Sequence, residues 1–119
     1  MLRNFLISKI HRANVTCRDL NYVGSITIDK KLLTATGMKD GEKVEVYNIS
    51  NGNRFATYII EGESGSGTIG INGAAARLVS IGDKIIIVNY GLLDADEMKK
   101  HNPRIIIIED NFNLSFRKI

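Results

Sequence analysis

Two segments of the sequence repeat the same order of helix-forming residues, glycine turn and strand. The turn is followed by GEKVEV in residues 31–49 and by GDKIII in residues 74–90, about 40 residues further on. A unit of this size cannot bury its apolar face alone. The repeat therefore predicts a small pseudo-symmetric β-barrel.

The chain as a whole predicts a mainly β protein with short helices. Alternating or β-branched runs indicate strands at residues 5–10 and on to 17, 26–28, 43–49, 54–61, 68–71, 84–90 and 104–108. Short helices are expected at residues 30–36, 72–79 and 94–101. Asp29 and Asn72 are placed as N-caps, and Asn51-Gly52 is a hairpin turn signal. The run 84–90 lacks polar alternation, so we expect it to be buried on both faces.

Composition indicates one globular domain, residues 1–119, with no membrane partner. Hydrophobic residues make up 44% and charged residues 24% of the chain, and no apolar run is long enough to cross a bilayer. The N-terminus carries charges within its apolar stretch and has no small-residue cleavage site. The single cysteine, Cys17, cannot form an internal disulfide. We therefore expect a cytoplasmic protein.

The charge pattern bears on the class of ligand. The formal net charge is +3, and the basic residues are scattered rather than massed in one block. This pattern is weak evidence for nucleic acid binding and is compatible with an anionic small substrate. No His, Cys, Asp or Glu cluster has the spacing of metal ligands, so we predict no metal.

Residues 21–29, NYVGSITID, place the Gly24–Ser25 bond immediately before a strand. Gly24 lacks a Cβ, so its backbone can adopt conformations barred to other residues, and a hydroxyl can approach its carbonyl. Attack by the Ser25 hydroxyl would convert the amide into an ester, and elimination and hydrolysis would leave a pyruvoyl ketone at a new chain end. Alone, a Gly-Ser pair is far more typical of a plain turn.

Four motifs together resemble one enzyme family. They are KIHR at 9–12, YVGS at 22–25 followed by TID at 27–29, NGNRFATY at 51–58 and NGAAA at 72–76. In identity, order and spacing they resemble the pyruvoyl-dependent aspartate 1-decarboxylases. The resemblance covers nearly the whole chain and is weakest after about residue 92.

The resemblance implies a fold, a maturation step and an activity. The fold is a six-stranded double-psi β-barrel, assembled as a homotetramer with sites between subunits. Self-cleavage between Gly24 and Ser25 gives residues 1–24 (the β chain) and 25–119 (the α chain), and it is open whether a maturation protein assists. The pyruvoyl cofactor formed from Ser25 takes up L-aspartate as a Schiff base and releases CO2 and β-alanine, for pantothenate and hence coenzyme A synthesis.

The resemblance also implies roles for individual residues. Those for self-processing are Gly24, Ser25, Thr57 and His11. The catalytic residues are Ser25, as pyruvoyl precursor, and Tyr58, as proton donor. Those for substrate binding are Lys9, Arg54, Thr57, Asn72, Gly73, Ala74 and Ala75.

The chemistry of the side chains is consistent with these roles without requiring them. A planar guanidinium such as that of Arg54 can bind a carboxylate at two points, and two cations suit a substrate with two carboxylates. Thr57 and Tyr58 are strand neighbours, so their side chains should point to opposite faces. Backbone N–H groups at the helix start after Asn72 can bind an anion. From position alone, each residue is at least as typical of a purely structural role.

A second interpretation belongs to a different functional class. Residues 33–48 also look like the swapped-hairpin DNA-binding transition-state regulators, which would make the protein a non-catalytic β-barrel module. That interpretation leaves NYVGSITID and NGAAA without a role, and the basic residues are dispersed. We favour the enzyme.

Overall fold

A computed structural model describes all 119 residues, Met1–Ile119. The elements in chain order are β1 (Arg3–Asn14), β2 (Cys17–Asp19), β3 (Ser25–Asp29), α1 (Lys30–Thr36), β4 (Lys43–Asn48), β5 (Arg54–Gly62), β6 (Ile69–Asn72), a 3₁₀ helix (Gly73–Leu78), β7 (Lys84–Leu93), α2 (Ala95–Lys100), β8 (Arg104–Ile108) and β9 (Phe116–Lys118). The prediction of a mainly β protein with short helices is confirmed. None of the helices has the length and apolar character needed to traverse a membrane.

The strands form one nine-stranded sheet that hydrogen bonding does not close. Its order is β2-β6-β3-β5-β4-β7-β1-β8-β9. The predicted six-stranded double-psi barrel is therefore not confirmed by the strand count or by the pairing. The count is higher because the first extended run is interrupted at Val15 and Thr16 to give β1 and β2, and because the C-terminal strands β8 and β9 extend the sheet beyond β1.

The two copies of the sequence repeat become neighbours in the sheet. Strand β4 from the first copy pairs antiparallel with β7 from the second, with Val46 opposite Ile87. Both side chains are fully buried in a core cluster of 19 residues. The packing of one copy against the other explains how two short units bury their apolar faces.

Strand β7 differs from its prediction. Ile85 and Ile87 are fully buried, but Ile86 between them is only half-buried, and Tyr90 is 42% exposed. The expectation that residues 84–90 are buried on both faces therefore holds for residues 87–89, which are all buried, and is wrong for Ile86 and Tyr90. One face of β7 packs on the core and the other is the outer face of the sheet.

The C-terminal segment is attached to the rest of the sheet by amide hydrogen bonds. Asn113 accepts from the backbone N–H of Asn14 at 2.8 Å and donates to the carbonyl oxygens of Asn14 and Gly67. Both asparagines are buried. Strand β9 then pairs with β8.

Asp29 connects helix α1 to the glycine-rich loop before β6. The carboxylate is buried and accepts from the backbone N–H of Lys31 at 2.9 Å, which confirms it as the N-cap. It also accepts from Gly65 N at 2.9 Å and Gly67 N at 2.8 Å. Three N–H donors on one buried carboxylate form a charge-assisted network that fixes this loop.

We expect Asp29→Asn to lower the free energy of unfolding by about 3 kcal/mol, because an amide cannot accept from donors on both sides. The control is Asp40→Asn, since the exposed Asp40 accepts one backbone hydrogen bond, from Glu61 N at 2.7 Å. That control should lose less than about 1 kcal/mol. Urea denaturation measures both, and equal losses would contradict the role given to Asp29.

Candidate active site

The Gly24–Ser25 bond lies where an exposed loop enters a buried strand. Ser25 is the first residue of β3 and is fully buried, whereas Val23 is 67% exposed. The Ser25 hydroxyl donates to the Val23 carbonyl oxygen at 3.0 Å and accepts from Asn72 Nδ2 at 3.0 Å. The oxygen of Ser25 is thus held between one acceptor and one donor.

Asn72 has a different role from the predicted one. It stands at the N-cap position of the 3₁₀ helix that follows, as predicted, but its side chain makes no capping hydrogen bond to that helix. Antiparallel pairing instead puts Asn72 opposite Ser25, and its Nδ2 also lies 3.2 Å from Thr27 Oγ1. The register of β3 and β6 therefore directs the Asn72 amide toward the hydroxyls of Ser25 and Thr27.

Gly73 is the glycine on which the loop geometry depends. Its φ is +76°, and a Cβ there would lie 2.6 Å from Gly24 Cα and 2.8 Å from Gly24 N. Gly24 itself does not have a positive φ, and a Cβ on it would meet nothing within 4 Å. The sequence suggests that glycine is required at Gly24, next to the bond. The structure instead requires glycine at Gly73, which packs against Gly24. Ala74 next to it is exposed and Ala75 is half-buried.

Thr57 and Tyr58 lie at the same end of the sheet as Ser25. Strand β5 runs parallel to β3 with Ile59 paired to Ile26, so the residues just before this pair are Tyr58 and Ser25. Thr57 is half-buried and Tyr58 is 39% exposed, as expected for strand neighbours on opposite faces. The Tyr58 hydroxyl has no hydrogen-bond partner in the chain and is free to meet a ligand.

Lys9 and His11 lie beside an irregularity in β1. Ile10 pairs with Ile87 and Ala13 with Ile85, so two residues of β1 oppose one of β7. This is a β-bulge, a feature that re-aims side chains next to functional sites. Arg12 in the bulge has a φ of +64°.

The imidazole of His11 favours its neutral form. Its Nδ1 is buried without a hydrogen-bond partner. Burial, and then the neighbouring cations Lys9 and Arg12, lower the pKa of His11 below its usual value. The neutral ring can accept a proton at neutral pH.

Arg54 is supported by two tyrosines that the sequence analysis did not identify. Its guanidinium carbon lies 3.9 Å from the centre of the Tyr47 ring, and the Tyr47 and Tyr90 hydroxyl oxygens are 3.1 Å apart. The hydrogen bond to Tyr47 and partial burial raise the pKa of Tyr90. The sequence feature that could have identified Tyr47 is the hairpin register, because the Asn51-Gly52 turn places Tyr47 opposite Arg54.

One chain does not bring all the predicted residues together. We call Gly24, Ser25, Thr57, Tyr58, Asn72 and Gly73 the processing cluster, and Lys9, His11 and Arg54, which lie on β1 and β5, the basic residues. In the hydrogen-bonded order, the strand of Lys9 is four places from that of Ser25. Arg54 precedes Tyr58 by four residues on β5, which is about 13 Å along a strand.

Ser25 lies outside the five principal surface cavities of the chain. Five surface cavities measure about 300–420 Å³, and none includes Ser25, Asn72 or Tyr58. One cavity, of about 340 Å³, is lined by Tyr90 and by other residues of β4 and β7. No group of three or more His, Cys, Asp or Glu residues is arranged to hold a metal ion.

Sequence comparison places the chain among known proteins. Residues 1–115 match the family model described as aspartate decarboxylase. The aspartate 1-decarboxylase of Caldicellulosiruptor saccharolyticus is 60% identical over 93% of this chain and 87% of its own length. The proteins of that name from Thermoanaerobacter pseudethanolicus and Bacillus cereus are 56% and 51% identical, each over 93% of this chain, and over 95% and 87% of their own lengths.

Gly73→Ala should displace the loop at Gly24 and lower the free energy of unfolding by at least about 3 kcal/mol, since a positive φ is combined with a clash. Gly41→Ala is the matched control, because Gly41 has a φ of +82° and open space around its Cβ position. It should cost about 1 kcal/mol. Chemical denaturation of both variants separates the cost of the positive φ from the cost of the clash with Gly24. An equal loss of unfolding free energy in both would show that the contact with Gly24 has no effect.

Proposed function

The chain belongs to the aspartate decarboxylase family, and we propose that it converts L-aspartate into β-alanine and CO2 with a pyruvoyl group made from Ser25. The β-alanine would serve pantothenate and coenzyme A synthesis. The observation that carries this proposal is the placement of Ser25. Its hydroxyl is held between Val23 O and Asn72 Nδ2 at the junction of an exposed loop and a buried strand.

Maturation cuts the chain into residues 1–24 and 25–119. The Ser25 oxygen attacks the Gly24 carbonyl carbon and the C–N bond breaks, so an ester replaces the amide. Loss of the Ser25 Cα proton expels the Gly24 carboxylate and leaves a double bond, and water then releases the nitrogen as ammonia to leave a ketone. Thr57 stabilises the oxyanion, and neutral His11 assists proton transfer.

The processing cluster fits a ketone at position 25. Because β3 is paired on both sides, a cut before Ser25 leaves that residue in place. Asn72 Nδ2 donates to the Ser25 hydroxyl oxygen that attacks Gly24, so a donor lies beside the residue that becomes the ketone. A pyruvoyl group supplies an electron sink for the pair left when CO2 departs, chemistry that no side chain offers.

The remaining residues bind the substrate and move a proton. Lys9 and Arg54 are cations for the two carboxylates of aspartate, and Arg54 has the fork of donors suited to one of them. Tyr58, with its free hydroxyl, returns a proton to the substrate carbon. Backbone N–H groups of Gly73, Ala74 and Ala75 contact the substrate where side chains are absent or small.

The active site is completed between subunits of a homotetramer. Within one chain, Arg54 and Tyr58 are separated by about 13 Å of strand, further than one aspartate reaches. Both lie on the exposed side of β5, whose exposed and more buried residues alternate from Arg54 to Ile59. A neighbouring subunit that presents its basic residues to the processing cluster resolves this separation, and closed symmetry repeats the contact.

A six-stranded double-psi barrel is supported by the course of the first extended run. Strand β1 lies beside β7, and β2 lies beside β6, near the other end of the strand order. At the junction, Val15 N donates to Asp83 O and Thr16 N donates to Ile69 O, each at 2.9 Å. Counted as one strand, residues 3–19 join β6, β3, β5, β4 and β7 into a ring of six.

The DNA-binding interpretation has no structural support of its own. Strand β4, within residues 33–48, pairs with β5 and β7 of the same chain rather than offering a hairpin for exchange. A cytoplasmic location remains our expectation.

Ser25→Ala should abolish both cleavage and decarboxylation while leaving the fold intact, because the attacking oxygen is gone. Intact mass under denaturing conditions should show fragments of 24 and 95 residues (119 − 24 = 95) for the wild type and one chain for the variant. The matched control is Ser66→Ala, which alters the other Gly-Ser pair, in an exposed turn. It should cleave normally.

Decarboxylation by the uncut Ser25→Ala chain would overturn the proposal. A wild-type chain that stays whole when pure but is cut after addition of cell extract would assign maturation to a helper protein. A chain that stays whole in both conditions and binds DNA in a salt-dependent manner would favour the alternative class.

Tyr58→Phe should self-cleave normally but lower kcat by about 100-fold, since general acid catalysis typically contributes that factor or more. Fragment masses verify the cleavage, and the rate of CO2 release from L-aspartate measures turnover. A wild-type rate in fully cleaved Tyr58→Phe would exclude Tyr58 as the acid.

A further inference from the structure

We propose that Tyr90 is a positioning residue for substrate binding, because its hydroxyl holds the Tyr47 ring against which the Arg54 guanidinium stacks. The inference rests on the proposed function, in which Arg54 binds a carboxylate of the substrate. It assigns a role to a residue on β7, a strand that contributes none of the predicted site residues.

The three side chains come from three adjacent strands on one face of the sheet. Tyr47 on β4 is directly opposite Arg54 on β5 and, on its other side, opposite Ile86 on β7. Tyr90 lies four residues further along β7 and reaches Tyr47 through the 3.1 Å contact between the hydroxyls. The contact joins residues 43 positions apart in sequence, so it depends on the pairing of β4 with β7.

Arg54 has no other support within the chain. The one salt bridge present joins Arg117 to Glu109, and no hydrogen bond involves the Arg54 guanidinium. An exposed arginine with long rotatable side-chain bonds loses considerable entropy when a ligand orders it. Stacking on Tyr47 orders the plane of the guanidinium before the ligand arrives and leaves its N–H donors free for a carboxylate.

Tyr90 is needed because the Tyr47 ring is itself only half-buried. Rotation about the Cα–Cβ bond swings a tyrosine ring through space, and a hydrogen bond at the far end of the ring restricts that rotation. The hydrogen bond to Tyr47 raises the pKa of Tyr90, so the contact is compatible with a protonated Tyr90 hydroxyl. The nearby charges that affect Tyr90 are Glu45 and Arg54, of opposite sign.

The test compares Tyr90→Phe, Tyr47→Phe and the double variant, each of which keeps every ring and removes only hydroxyls. The KM for L-aspartate should rise about threefold in each, the value expected for partial loss of an exposed cation–π contact, with kcat unchanged. The double variant should be no worse than either single one, because both remove the same hydrogen bond. Tyr47→Ala, which removes the ring, should raise KM by about tenfold.

Two further readouts separate positioning from general damage. Fragment masses should show complete self-cleavage in all variants, since the processing cluster is unaltered. Inhibition by succinate, a dicarboxylate that cannot react, should weaken by the same factor as KM rises. A fall in kcat with unchanged KM and unchanged succinate inhibition would indicate a structural role and overturn the inference.

The outcome also distinguishes this inference from the proposed function. A cleaved wild type that does not decarboxylate aspartate defeats the proposed function. An active wild type with additive effects of Tyr47→Phe and Tyr90→Phe, or with no effect of either, defeats only the role of Tyr90.

Discussion

Strand β3 is hydrogen-bonded on both sides, parallel to β5 and antiparallel to β6, and the chemistry of the site depends on this arrangement. Ile26 and Ile28 anchor the strand in the core. With β3 fixed, Ser25 cannot withdraw from Asn72 on one side or from the end of β5 on the other. A serine in a mobile loop would carry the same hydroxyl, but strand pairing would not fix its position.

The structure separates two tasks that the sequence motifs list together. Residues around Ser25 converge within one chain, through strand register and the packing of Gly73 on Gly24. The cations Lys9 and Arg54 lie elsewhere on the sheet. The proposed assembly therefore matters more for substrate binding than for the geometry at the bond to be cut.

Local signals in the sequence were reliable because they depend on neighbours along the chain. The Asp29 cap and the turn at Asn51-Gly52 appear where they are predicted. Errors arose where long-range pairing decides the outcome. Asn72 was assigned to its own helix, although its amide bonds a serine 47 residues away. The Tyr47–Tyr90 contact likewise follows from the β4–β7 register, which no local pattern encodes.

In the maturation that we propose, the first extended run changes its physical status when the bond before Ser25 is cut. Residues 3–19 pair with β7, β8 and β6, and Ile10, Ala13 and Val15 from this run are in the core. After cleavage nothing covalent retains them. The mature protein is then a complex of two peptides, in which a 24-residue fragment supplies a central strand to a partner that lacks one. Loss of that fragment would be a dissociation equilibrium, so it would depend on protein concentration, unlike the unfolding of a single chain.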